Sequence, residues 1–184
     1  MNRLWVGWIL TAPLAAAPAL HAVDVCVEGP LVQERILNKA LWVARGVYRE
    51  IAVDVRWRCS ANPGERDVQI GFVESHNSRL SKHAVAYALP YEGRTIRIFL
   101  DRIRRYPEAT RGNMLGYIIA HEMGHLLQGI ARHSENGLMK PDWDDHDRYL
   151  MWLRKLKFTE VDVELIHRGL GERQSAAVRR VTKP

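Results

Sequence analysis

The sequence predicts an α/β (α+β) domain: a twisted mixed sheet packed on two long helices, followed by a short helical C-terminal part. Three observations predict it. Four short stretches alternate apolar and polar residues with a period of two, as half-buried strands do. Two longer stretches, one before the strands and one after them, repeat apolar residues at helical spacing. No internal repeat and no Pro/Gly/Ser linker divides the 184 residues, which suit one domain with a real core.

The elements follow in order. Leu31 to Arg49 places Leu31, Ile36, Ala40, Val43 and Val47 on one helical face, with Gly29-Pro30 at its start. "IAVDVRW" (Ile51 to Trp57) and "DVQIGFV" (Asp67 to Val73) read as strands. "AVAYALP" (Ala84 to Pro90) and "RTIRIFL" (Arg94 to Leu100) read as two more, turning at Tyr91-Glu92-Gly93. The second long helix runs from about Asn113 to Gln128. Asp144 to Lys155 and Thr159 to Arg168 are shorter helices, the latter capped by Thr159 and stopped by Gly169. The tail after Gly169 is polar, basic and expected to fray.

The start of the chain has a different character. Asn2 and Arg3 precede an uncharged run from Leu4 to Leu20, with small residues offering cleavage after Ala19 or after Ala22. Residues 1–22 therefore read as a secretory signal peptide, and 23–184 as the single mature domain. An uncleaved anchor helix is the alternative, against which Pro13, Pro18 and the short run argue. Export to the periplasm or beyond the cell makes a disulfide between Cys26 and Cys59 the expected state, rather than two free thiols. The formal net charge of +6 comes from scattered basic groups without aromatic interleaving. That pattern argues for solvated surface charge and against a nucleic-acid partner.

The chemistry concentrates in "HEMGHLLQGIARHSENGLMKP", His121 to Pro141. His121 and His125 lie four apart on a helix and project from one face, so they can share an ion. Neutral imidazole is an ordinary zinc ligand. Glu122, 100° around the helix from His121, can lie beside the ion without binding it. There a carboxylate can take a proton from zinc-bound water and pass it to a leaving amine. A catalytic zinc usually has three protein ligands. His133 is the expected third, but a continuous helix would carry it about 12 Å beyond His125. The chain must turn back, and Gly129 can supply the positive φ that ends the helix.

This stretch resembles the metzincin metalloproteases, and within that clan the matrixins. Two histidines flank the glutamate, a glycine turn follows, then His133-Ser134, then "LMKP" at Leu138 to Pro141. The resemblance implies a metzincin-like fold and one catalytic Zn2+ on His121, His125 and His133. It makes Glu122 the general base and acid, and Met139 the methionine of the turn beneath the metal. "HAVAYALP" resembles the edge strand along the substrate cleft, and "RTIRIFLD" the parallel strand after it. The implied function is an exported zinc endopeptidase whose peptide substrate lies along that edge strand. The alternative is a weakly catalytic or non-catalytic zinc-containing envelope protein of the same fold.

The sequence departs from the family pattern in four places. Gln128 stands where the family has glycine, and His133 comes two residues late, giving HExxHxxxGxxxH. Pro141 occupies the position of the tyrosine found in some branches, so no transition-state stabiliser besides the metal is named. The segment after Pro141 does not read as a typical matrixin C-terminus. Other candidates are Glu160 or Glu164 as third ligand, Asp144 and His146 near the site, and His76 with His83 as a second metal site. Trp143 and Trp152 read as core.

Overall fold

The computed structural model describes residues 21–29, 32–60, 67–74, 84–89 and 94–181. Residues 1–20 of the expected leader, and His76 and His83, lie outside the described residues.

Strand β1 (His21–Glu28) opens the fold, and helix α1 (Glu34–Arg49) crosses to β2 (Val53–Trp57), which lies parallel to β1. Strand β3 (Val68–Val73) pairs on the other side of β1, and β5 (Thr95–Phe99) pairs parallel to β3. Strand β4 (Ala86–Ala88) pairs antiparallel to β5 and closes the order β2-β1-β3-β5-β4. The sequence reading missed β1. Val23, Val25 and Val27 do alternate with Asp24, Cys26 and Glu28, but the strand follows directly on the apolar run Leu4 to Leu20, which hides its start in the sequence.

Helix α2 (Leu100–Ile103) leads into α3 (Glu108–Gln128), the long helix that carries the histidine pair. It begins five residues before the expected Asn113, because Pro107 fits a helix entry and Glu108 sits favourably at the positive N-terminal end. Helix α1 buries Ile36, Ala40, Val43 and Val47 between the sheet and α3, the spacing read from the sequence. The Tyr48 hydroxyl donates to the Ala120 carbonyl at 2.9 Å, a buried bond joining α1 to the helix just before His121.

Helix α4 (Asp145–Trp152) starts at a reciprocal cap. The Asp144 side chain accepts from the Asp147 N–H, and the Asp147 side chain accepts from the Asp144 N–H. Helix α5 (Glu160–Val181) overturns the expected stop at Gly169, for it runs on through the basic tail. Gly169 is the point where α5 crosses α3: a side chain there would run into the backbone carbonyl of Leu127. Its role is close approach, not termination. Cys26 on β1 and Cys59 beyond β2 form the disulfide. Among the described residues, no helix is long and apolar enough to cross a membrane.

Candidate metal and catalytic site

Three segments converge at the C-terminal half of α3. Gly129 takes a left-handed conformation (φ 71°, ψ 15°), and its N–H donates to the His125 carbonyl at 3.0 Å. This is the break that the sequence required. The chain turns back and brings His133 to the histidine pair. Ring centroids are 4.8 Å apart for His121–His125, 5.4 Å for His121–His133 and 4.8 Å for His125–His133. One ligand nitrogen from each of the three lies within 4.8 Å of the others. Ala131 is exposed and contributes no ligand atom to this cluster.

The tautomers are set by the backbone. The His121 Nδ1–H donates to the Leu138 carbonyl at 2.9 Å, and the His125 Nδ1–H points to the Ile130 carbonyl at 3.4 Å. Both Nε2 atoms are then unprotonated, and they face each other across 3.1 Å. Burial holds the His121 imidazole down at about 3 and His125 at about 4, so neither takes up a second proton at neutral pH. Burial also lowers His133, against a smaller opposing effect of Asp142. Two lone pairs at that distance repel unless a cation lies between them. Ligands of a tetrahedral zinc, at about 2.0–2.1 Å from the metal, stand about 3.3 Å apart. The donor set therefore fits a zinc ion.

Glu122 is buried beside the pair. Burial pushes its carboxyl up to about 8, opposed by the smaller influence of the Ala88 backbone N–H on β4. Met139 is fully buried, and its sulfur lies against Gly124, on the turn of α3 between the two histidines. A cleft of about 590 Å³ opens over the site, lined by the Ala84–Ala88 stretch on one side and by Lys140 to Trp143 on the other.

Several residues packed around the site were not read from the sequence. Ser134 is buried, and its hydroxyl donates to Asp162 on α5 at 2.6 Å. Arg132 donates to the same carboxylate oxygen at 2.9 Å. These bonds bracket His133. The capping pattern Thr159-x-x-Asp162 was the visible signal for Asp162. Trp143 is half-buried and packs against the core, as read, and from there its ring meets His121 edge-on at 5.5 Å at the cleft wall. Trp152 is 63% exposed and stacks on Tyr149, which corrects the core reading for that residue. Glu160 and Glu164 are exposed and stand outside the histidine cluster, with Glu164 paired to Arg168. Asp144 and His146 are exposed.

No protein-family model and no curated protein matches the chain. Among solved structures it is similar to archaemetzincin from Methanopyrus kandleri, with a TM-score of 0.60 at 16% identity. That match covers 85% of this chain and 99% of the other. It is also similar to myroilysin, with a TM-score of 0.40 at 14% identity, over 80% of this chain and 67% of that one. The chain has a metzincin-like fold, a mixed α/β architecture shared with the archaemetzincin structure.

Proposed function

We propose that the protein is an exported zinc endopeptidase of metzincin type with a matrixin-like variant motif. His121, His125 and His133 hold one zinc ion, and Glu122 is the general base and acid. The observation that carries this reading is the pair of unprotonated imidazole nitrogens facing across 3.1 Å, with a buried carboxylate next in sequence. The metzincin-like fold supports it.

A zinc ion held there supplies a Lewis acid that polarises a carbonyl and makes water more acidic. The chain's own residues do the rest. The Glu122 carboxylate takes the proton from the attacking water and returns it to the leaving amine. The low-dielectric setting that raises its affinity for a proton suits it to both halves of that transfer. Met139 forms an apolar floor that holds the two helix histidines from below.

Strand β4 offers the substrate a backbone edge. The Phe99 N–H donates to the Val85 carbonyl and the Leu89 N–H to the Thr95 carbonyl, with Tyr87 opposite Arg97 between them. Antiparallel alternation then turns the N–H and C=O of Ala86 away from β5, toward the cleft side. An extended peptide added there would gain ladder bonds without displacing any within the sheet. The disulfide agrees with an oxidising compartment, and so with export.

The test pairs metal content with cleavage of a peptide library. Glu122→Ala should retain zinc and lose cleavage by roughly 10²-fold or more, whereas His133→Ala should lose zinc. Cleavage that survives Glu122→Ala removes the proposed role of the carboxylate. Zinc bound by the wild type without cleavage of any library member favours the zinc-containing binding protein instead.

A further inference from the structure

We infer that Trp143 is a positioning residue for His121, acting through the Leu138 carbonyl that the two side chains share. The inference rests on the reading of His121 as a metal ligand. The Trp143 Nε1–H donates to the Leu138 oxygen at 3.1 Å, and the His121 Nδ1–H donates to the same oxygen at 2.9 Å. A carbonyl oxygen has two lone pairs, one for each donor. Leu138 is tied down one peptide unit earlier, where its N–H donates to the Lys157 carbonyl at 2.7 Å.

The geometry gives Trp143 two separate effects on one ring. An imidazole turns readily about its last side-chain torsion, which is broad and soft. The bond from Nδ1–H fixes that angle only as well as the acceptor itself is fixed. The indole N–H pins the acceptor. The indole ring also meets the imidazole at 89° with centroids 5.5 Å apart, an edge contact that limits rocking. Trp143 is itself anchored, because Arg148 donates to its backbone carbonyl. The result is a fixed direction for the His121 Nε2 lone pair, the atom that faces His125. A tryptophan that only filled space would need neither the shared acceptor nor the right-angled contact.

The deciding variants are Trp143→Phe, which keeps an aromatic ring and removes the N–H, and site-specific replacement by benzothienylalanine, which keeps the bicyclic shape with sulfur in place of N–H. Two readouts apply. In the metal-free protein, solvent exchange of the His121 Nδ1–H, followed by nitrogen-15 NMR, should accelerate in both variants. Zinc affinity, measured by chelator competition, should fall roughly tenfold, with the melting temperature of the metal-free benzothienyl variant unchanged. Exchange and affinity both staying within twofold of the wild type would overturn the inference. A wild type that binds no zinc would overturn the proposed function, while proton exchange in the metal-free protein would still decide the role of Trp143.

Discussion

The hydroxyl of Ser134 donates to the carboxylate of Asp162 at 2.6 Å, across 28 residues of sequence. Asp162 works with both of its oxygens. Oδ1 holds Ser134 and Arg132, the neighbours of His133, while Oδ2 accepts from the Thr159 N–H at 3.1 Å and the Thr159 hydroxyl at 2.7 Å. The Asp162 N–H completes a capping box by donating to the Thr159 hydroxyl oxygen at 3.3 Å. One carboxylate therefore starts α5 and fixes the returning loop that carries the third histidine.

Replacing Asp162 with Ala should destabilise the protein by about 2–3 kcal/mol, mainly through buried donors left without an acceptor. The Arg132 ion pair adds little, since its side chain is 39% exposed. Urea unfolding measures the loss. Burial alone would raise the Asp162 carboxyl, but bonds from Ser134, Thr159 and Arg132 outweigh it and hold the group below its ordinary value. A lowered folded pKa gives stability that is present above the unfolded value, about 3.9, and is lost as pH falls through the folded one. Asp162→Asn should therefore flatten the stability curve below about pH 4. An acid limb identical to the wild type would show that this carboxylate does not drive acid unfolding.

Two glycines of α5 should respond in opposite ways to the same change. Gly169→Ala puts a methyl group into the Leu127 carbonyl, which is backbone and cannot step aside. The helices must separate, at a cost of about 1–3 kcal/mol or more. Gly171 has open space around the same position, so Gly171→Ala should gain about 0.5–1 kcal/mol from helix propensity. Thermal melts of the two variants make the comparison. Equal shifts would mean that α5 does not cross α3 at Gly169.

The contrast between these glycines marks the boundary of what was legible in the sequence. Helix α1, the strand alternation and the Gly129 break each follow from local rules, because a short segment contains all the residues that decide them. Gly169 did not follow, since what it meets is Leu127, in a different helix. The same holds for the site. His121, Glu122 and His125 are neighbours in one helix and were visible as a motif. Asp162 and Trp143 act on that motif through Ser134 and the Leu138 carbonyl, contacts that exist only once three segments have packed. Strand β1 is a different failure. Its alternation was readable, but the adjoining apolar run of the sequence masked it.

The Cys26–Cys59 bridge, between positions 33 apart in sequence, should contribute about 3–4 kcal/mol in the chain-entropy account. It joins β1 to the residue two beyond β2, strands already paired at Val25 and Trp57, so its main action is on the unfolded chain. Urea unfolding with and without reductant should show the shift, and the Cys26→Ser/Cys59→Ser double variant should match the reduced protein. A reductant effect that persists in the double variant would place it elsewhere.

The β1 ladder favours one of the two cleavage points of the proposed leader. His21 pairs with Val53 and Ala22 with Asp54, at the start of the β1–β2 ladder. The His21 ring also packs 5.3 Å from that of His167 on α5, and its Nδ1 accepts from the Gln174 side-chain amide at 3.2 Å. Cleavage after Ala22 would remove two of the five paired positions and this contact with α5. Cleavage after Ala19 leaves them intact. N-terminal sequencing of the exported protein should therefore begin at Leu20. A chain beginning at Val23 should be less stable by on the order of 1 kcal/mol, from the lost ladder bonds. A native N-terminus at Val23, with stability equal to that of the longer chain, would exclude His21 from the folded sheet.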